Sequence, residues 1–405
     1  MQIVWYSFDG VFGRTTGLVA DNLLIFLIFG ALLERTGAGE SLIHISTALM
    51  GRIRGGAAHA AIVASAVFGM MSGSVAANIA GTGVFTIPMI KRQGFSNNFA
   101  GAVETAASSG GQLTPPIMAA AVFVMADLAG LPLVMVIAAA ALPALFKYIG
   151  LFAQVYVEAI KLDIKPLPAD QIPVLTRRDW LNSALVFVPI LVLMVAFISG
   201  RSPAFAGLVG VIMALVMGLI LTPEFRRNLA KIWEALCVGG ISAAQIMLSV
   251  AAIGIVLPLA AHMFAVYSSI VPPIAYGCYI AAPIAGGDPL RTSFVALRIS
   301  VVGLLVPYVF VYSPSLLLVA GEFSWVELAA TCLRLLAAIW MFATALGGAC
   351  PILGRIGMGT RAVRLVIACA AMMPMAVLWM PAVVATVLAG LVWPRMIAAR
   401  KQTVI

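Results

Sequence analysis

Two proline pairs, Pro115-Pro116 and Pro272-Pro273, each followed by isoleucine (Ile117 and Ile274), sit inside stretches apolar enough to cross a bilayer. Proline lacks a backbone donor and obstructs the preceding turn, so a pair at this depth breaks a helix and leaves main-chain carbonyls without partners. Such opened backbone serves a ligand or an ion. The two sites share a context, because Gly130-Leu131-Pro132-Leu133 and Gly287-Asp288-Pro289-Leu290 follow them at the same distance, giving a common offset of 157 residues. That offset reads as an internal repeat of the kind from which secondary transporters are built.

The rest of the chain supplies the setting. Apolar residues make up 63% and charged residues 10% of 405 positions, with a mean hydropathy of +1.10, which excludes a soluble globular protein. The apolar runs have helical length and lack the ten-residue alternation of an outer-membrane barrel. The expected fold class is an all-α integral membrane protein, a polytopic helical bundle embedded in the lipid bilayer. The net charge of +9 does not point to nucleic acid, since the basic residues lie in short loops and act as topology signals. Cys237, Cys278, Cys332, Cys350 and Cys369 lack metal or redox spacing, and His44, His59 and His262 form no ligand pattern, so no metal-ligand cluster and no organic cofactor are expected. Met1 to Thr16 carries no pattern of a removable signal peptide. Phosphate-binding loops, HExxH and Ser/His/Asp sets are missing from the sequence, so an enzyme is not expected.

Spans are expected near Gly17 to Leu33, Leu131 to Ile160, Trp180 to Ser199, Pro203 to Leu221, Trp233 to Val256, Phe294 to Leu318, Leu328 to Gly348 and Val363 to Trp393, the last dividing around Pro374 or Pro381. The broken helices run near Asn97 to Asp127 and Phe264 to Gly286. Gly56 to Ile90 is too long for one span and carries Ser72-Gly73-Ser74 and Gly81-Thr82-Gly83 at its centre, which fits a re-entrant hairpin with Ser72, Ser74 and Asn78 at its tip. Arg52, Arg54, Lys91 and Arg92 at its feet then share one face, placed in the cytoplasm by the positive-inside rule together with Lys161, Lys165, Arg177, Arg178, Arg226, Arg227 and Lys231. Four spans separate the broken helices, so these run in opposite directions and the repeats are inverted. The division is an N-terminal repeat over 1–160 with its hairpin at about 57–90 and broken helix at about 97–127, a cytoplasmic linker over 161–179, a C-terminal repeat over 180–318 with its broken helix at about 264–286, and C-terminal helices over 319–405. Arg395, Arg400 and Lys401 join the inside face only if the last segment doubles back.

Three constellations carry candidate chemistry. In Phe68 to Gly83, hydroxyls, an amide and close-approaching backbone offer oxygen ligands to a monovalent cation, although small residues in membrane helices also mediate packing. In Glu104 to Pro116, Gly110 and Gly111 with the prolines bracket Gln112 and Thr114, while Glu104 is a candidate proton or cation site or else reaches an interface. In His262 to Gly287, Tyr267, Ser268 and Ser269 precede the second pair and Tyr276 and Tyr279 follow it, where interfacial aromatics are also ordinary. Coupling to an ion gradient is the economical reading, a channel being the weaker alternative.

The stretches YSFDGVFGRTTG at Tyr6, FGALLERTGAGE at Phe29, the long run from Gly51 through GMMSGSVAANIAGTGVFTIPMIKRQGF, FAGAVETAASSGGQLTPPIMAAAVFVMA at Phe99, and LAAHMFAVYSSIVPPIAYGCYIAAPIAGGDPLRTSFVAL at Leu259 followed by VPYVFVYSPSLLL resemble one family. It is the large membrane subunit of the tripartite ATP-independent periplasmic (TRAP) transporters, of the TAXI type. The resemblance implies a sodium-coupled, elevator-type importer of small organic acids in the bacterial inner (cytoplasmic) membrane, served by a periplasmic substrate-binding protein of TAXI type and a small four-helix membrane subunit in trans. It implies substrate and ion sites at Ser72, Gly73, Ser74 and Asn78, with Gly110, Gly111, Gln112 and Thr114 beside them and His262, Tyr267, Pro272 and Pro273 in the second half; Na+ ligands would come from Ser72, Ser74, Asn78 and Thr114. Two departures stand out. The family's second hairpin is missing near 256, where Gly254-Ile255-Val256 passes into Leu257-Pro258-Leu259 although a membrane hairpin needs roughly 40 residues. Val271 also replaces the threonine usual before the second proline pair. An internally deleted, impaired permease, or an inactive membrane scaffold derived from one, would account for both. The small subunit, often fused ahead of the large one, is not in this chain, which begins near that junction; a separate small subunit or a shortened reading frame would explain it.

Overall fold

The computed structural model describes residues 24–115, 130–253, 267–318 and 323–372, except positions 38, 229, 352 and 353, together with isolated positions 21, 118, 122, 123 and 126. Helix dominates. Five helices among the described residues are long and apolar enough to cross a membrane: Leu133–Lys161, Arg177–Ile198, Pro203–Leu221, Pro289–Pro307 and Trp325–Gly347. The chain is therefore a multi-pass, helical membrane protein.

In order, α1 (Leu24–Arg35) and α2 (Gly39–Met50) precede α3 (Gly56–Ser72), the first arm of a helical hairpin. The second arm begins with one turn at Val75–Asn78, passes through a π-helical turn at Ile79–Gly83 and ends in α4 (Val84–Arg92). After α5 (Asn97–Gly111) come α6 (Leu133–Lys161), α7 (Arg177–Ile198), α8 (Pro203–Leu221) and α9 (Ala230–Ile253). The last are α10 (Tyr276–Ala285), α11 (Pro289–Tyr312), α12 (Trp325–Gly347) and α13 (Met358–Met372). Helix starts are written locally. Thr176 and Asp179 form a reciprocal capping box at α7, Ser202 with Pro203 opens α8, Asp288 with Pro289 opens α11, and Ser96 caps α5.

Single prolines do not stop these helices, since α6 continues through Pro143 and α7 through Pro189. The paired ones lie in interruptions. α5 ends at Gly111 and the chain turns through 112–115, while 268–275 is non-helical ahead of α10, with Ala275 at φ 34°. Residues 116 and 117 of the first pair's motif lie outside the described residues.

Of the four spans expected between the interruptions, α6, α7 and α8 are among the helices long and apolar enough to cross a membrane, and α9 is helical over most of the fourth. The expected start near Gly17 and the C-terminal stretch beyond 372, with Pro374 and Pro381, fall outside the described residues; α1 is helical from Leu24 and α13 from Met358. One element was not expected from the sequence. α2 fits within the polar-flanked stretch before Arg52 and is only 12 residues long, with Glu40 in its first turn.

The hairpin closes on itself. Gly73 takes φ 59° at the reversal, and at the open end the Gln93 side chain accepts from the Ala57 backbone N–H at 2.9 Å. The same amide donates to Lys165 O at 3.0 Å, and the Leu167 N–H donates to Gly51 O at 2.9 Å. Arg54 also lies 3.7 Å from Asp163. The basic positions expected on one face, Arg52, Arg54, Lys91, Arg92, Lys161 and Lys165, thus belong to segments gathered at one end of the molecule.

Three apolar cores are the largest among the described residues. One joins α3, the second arm, α5, α10 and parts of α6 and α11, through Ile62, Ile79, Val103, Leu151, Tyr267 and Ile299. Another packs α1 against α7, α8 and α9 around Phe29, Val186, Leu193 and Ala214. The third lies between α6, α11, α12 and α13. The first two cores meet where Gly30 of α1 faces Met71 O near the end of α3; a Cβ at position 30 would overlap that carbonyl.

Candidate functional site

The hairpin tip and both interruptions converge. At the tip Ser72 donates to Ser74 O at 3.3 Å, and Ser74 Oγ accepts from the Ala77 N–H at 3.3 Å, capping the second arm. Gln112, one residue past the end of α5, donates through Nε2 to Gly73 O at 3.2 Å and lies within reach of the Tyr276 hydroxyl at the start of α10. A Cβ at Gly277 would stand 2.7 Å from Thr105 Cγ2 and 3.0 Å from Val75 Cγ1, so α10 begins against α5 and the second arm. At the opposite end of α5, Asn97 donates to Gly286 O at 2.9 Å, and Asn98 Oδ1 accepts from the Asp288 N–H at 2.8 Å. α5 therefore runs toward the convergence while α10 runs away from it, side by side and antiparallel.

Glycine makes the approach possible. A Cβ at Gly69 would lie 2.7 Å from Asn78 Nδ2 and 2.9 Å from Gly111 Cα, so the first arm and α5 cross backbone on backbone. One at Gly110 would lie 2.6 Å from the Tyr148 hydroxyl, which in turn is 3.2 Å from Thr114 Oγ1. Thr114 donates to Gly110 O at 2.8 Å. Ser72, Gly73, Ser74, Gln112, Thr114 and Pro272 are half-buried and Pro273 is exposed, so this region opens to the surroundings. Gly110, Gly111 and Tyr267 are buried behind it.

Below the tip lies a second, closed polar cluster. Glu104, 0% exposed, accepts from Ser65 at 2.7 Å and Thr82 at 2.6 Å on Oε1, with Ser108 at 3.4 Å, and from Thr86 at 2.6 Å on Oε2. Asn78, also 0% exposed, donates to Ser65 O at 2.8 Å, and its Oδ1 lies 3.1 Å from Thr82 Oγ1. Glu104 thus lies in the interior and does not reach an interface. Thr82 and Thr86 are four residues apart and so share one face of the second arm, which aims both at the same carboxyl group; Thr82 itself lies in the π-helical turn at 79–83. Hydroxyl bonds to a carboxylate are each worth roughly 1.5–3 kcal/mol, and a buried carboxyl without such partners would be expensive.

The sequence-predicted residues divide accordingly. Ser72, Gly73, Ser74, Gly110, Gly111, Gln112 and Thr114 gather at the tip, with Pro272 and Pro273 in the interruption before α10. Asn78 sits one turn below, turned toward Glu104. Tyr267 packs under the ammonium of Lys147, 4.9 Å from Nζ to the ring centre. His262 lies outside the described residues. Ser65, Thr86, Lys147 and Tyr148 were not singled out from the sequence, and Thr82 was noted only within Gly81-Thr82-Gly83 at the centre of the hairpin segment. Lys147 carried a legible signal, a lone cation inside the apolar run from Leu131 to Ile160. Ser65 carried none, since a serine in an apolar helix is ordinary.

Oxygen donors, an amide and opened main chain at the tip can hold a small polar ligand or a monovalent cation; among the described residues no group of three or more His, Cys, Asp or Glu could hold a metal ion. Residues 14–262 match the family described as Tripartite ATP-independent periplasmic transporter, DctM component. The C4-dicarboxylate TRAP transporter large permease protein DctM of Pseudomonas aeruginosa is 32% identical over 175 residues, 43% of this chain and 39% of that protein. The sialic acid TRAP transporter large permease protein SiaM of Vibrio cholerae is 26% identical over 200 residues, 48% of this chain and 45% of that protein. The match to each thus spans less than half the relative's length. With more than half of its residues matched, and with the helical, multi-pass architecture around its hairpin, this chain belongs to the DctM-component family of TRAP transporters, the large permease subunits.

Proposed function

We propose that this chain is the permease subunit of a sodium-coupled, binding-protein-dependent importer of small organic acids, of the TAXI type, in the bacterial inner membrane. The observation that carries the reading is the convergence of the hairpin tip with two antiparallel interrupted elements, joined by Gln112 to Gly73 O at 3.2 Å. Half-helices that stop at one level present main-chain carbonyls and amide groups to a ligand there, the arrangement expected at a transport site between inverted repeats. Ser72, Ser74 and Thr114 supply oxygen donors for Na+, with Asn78 behind them, while Gln112 and the exposed amide groups meet the substrate. Relatives named for C4-dicarboxylates and for sialic acid both take carboxylated compounds, which supports the organic-acid class. Most of the hairpin, α5 and α10 share one core and α1, α7, α8 and α9 another, into which only the end of the hairpin's first arm packs through Met71, a division suited to an elevator-type motion. The proposed partners are a TAXI-type periplasmic binding protein and a small membrane subunit supplied in trans.

The test is uptake in proteoliposomes holding the chain, its small subunit and its binding protein, with a panel of radiolabelled C4-dicarboxylates and 2-oxo acids. Uptake rises with an inward sodium gradient and collapses when the gradient is dissipated; uptake indifferent to sodium rejects the coupling.

A second reading rests on one observation of the sequence. Only residues 254–266 separate the end of α9 from Tyr267, far fewer than the roughly 40 needed for a membrane hairpin. A permease impaired by internal deletion, or a scaffold descended from one, is the alternative. Insertion of a family hairpin between Val256 and Leu257 separates them, because gained uptake marks a broken transporter and unchanged behaviour marks a scaffold.

A further inference from the structure

Lys147 lies in the middle of α6, 3% exposed, in a helix of membrane-spanning length. Its ammonium donates to Ser109 Oγ at 2.9 Å and stands 4.9 Å above the ring of Tyr267, itself 2% exposed. None of the ion pairs among the described residues includes it, and Glu104, the buried carboxyl of α5, is occupied by hydroxyls. The stem has a built path, because a Cβ at Gly303 of α11 would lie 2.9 Å from Lys147 Cγ and would also overlap the Tyr267 hydroxyl. A hydroxyl oxygen and an aromatic face, with no carboxylate, are ligands suited to a monovalent cation.

The position matters as much as the ligands. Ser109 is two residues before the end of α5, and Tyr267 stands just ahead of the second interruption. The ammonium therefore bridges the two interrupted elements behind the tip.

We propose that Lys147 is a tethered cation: its ammonium fills a monovalent-cation position between the end of α5 and the segment before the second proline pair, so this junction closes without a dissolved ion. The junction then contributes a fixed positive charge that does not exchange during turnover. The inference is independent of which substrate is carried and of whether uptake uses sodium.

The test melts the purified full-length chain in detergent, in N-methylglucamine chloride free of sodium. Lys147→Ala lowers the midpoint by several degrees, and n-propylammonium chloride or sodium chloride restores at least half of the loss. Lys147→Met, which fills the volume without charge, is lowered and is restored by neither salt. A sodium response of equal size in wild type and variants belongs to the uptake reading and leaves that comparison unchanged. The proposal is overturned if Lys147→Met matches wild type, or if neither cation narrows the deficit of Lys147→Ala. It is also overturned if acetate or succinate stabilises wild type but not Lys147→Met, which would make the ammonium a counter-charge for an anion. Should Lys147→Ala fail to fold without cations, the yield of monodisperse protein extracted in propylammonium or sodium decides, and no recovery overturns the proposal.

Discussion

Gly69 and Gly111 form the tightest crossing in the candidate site, with backbone meeting backbone where most helix pairs place side chains. A methyl at position 111 would overlap Gly69 Cα and its carbonyl, neither of which is a flexible side-chain end. Gly111→Ala should therefore destabilise by about 1–3 kcal/mol through overpacking, while also displacing Gln112 from Gly73 O. A lowered melting midpoint together with lost uptake is the expected pair of outcomes. A variant with wild-type stability and transport would show that the crossing tolerates a side chain and that the contact is incidental. The glycines themselves were legible, Gly111 in the polar run before the first proline pair and Gly69 in the constellation from Phe68 to Gly83. Their partner was not, because a contact between positions 69 and 111 depends on how two helices cross.

At the scale of elements, the hairpin depends on its open end. Gln93 accepts from the first turn of α3 and donates to Lys165 O in the segment after α6, so one amide ties three stretches. Gln93→Leu removes both bonds, a loss of about 1 kcal/mol for each, and should raise amide hydrogen exchange over residues 55–59 while leaving the tip unaltered. Faster exchange at the tip instead would mean that the arms are held together from above.

The hairpin was readable because Gly56 to Ile90 is longer than a bilayer is thick and is interrupted by small polar residues at its middle. The spans of α6, α7 and α8 were readable from unbroken apolar length, and single prolines within them did not mislead. The closed cluster around Glu104 was harder to see. Ser65, Thr82 and Thr86 reach that carboxyl from two arms of one hairpin, and their meeting depends on how those arms pack against α5. α2 escaped notice because twelve residues of mixed polarity resemble a loop as readily as a helix.

At the scale of the molecule, Arg52, Arg92 and Lys165 belong to segments at one end, and the loop carrying Arg201 joins α7 to α8 at the other. Single cysteines placed by Arg52→Cys, Arg92→Cys, Lys165→Cys and Arg201→Cys, in a background with all five native cysteines replaced, test this arrangement. An impermeant maleimide should label the first three from the cytoplasmic side and the fourth from the opposite side. Labelling of Arg52→Cys and Arg92→Cys from different sides would mean that the hairpin passes through the bilayer instead of returning.

The meeting of Gly30 with the carbonyl of Met71 has a mechanical meaning. No side chain separates the two helices at this one position, so in the elevator-type motion proposed above the hairpin would pass α1 here, and a bulkier residue would act as a wedge between them.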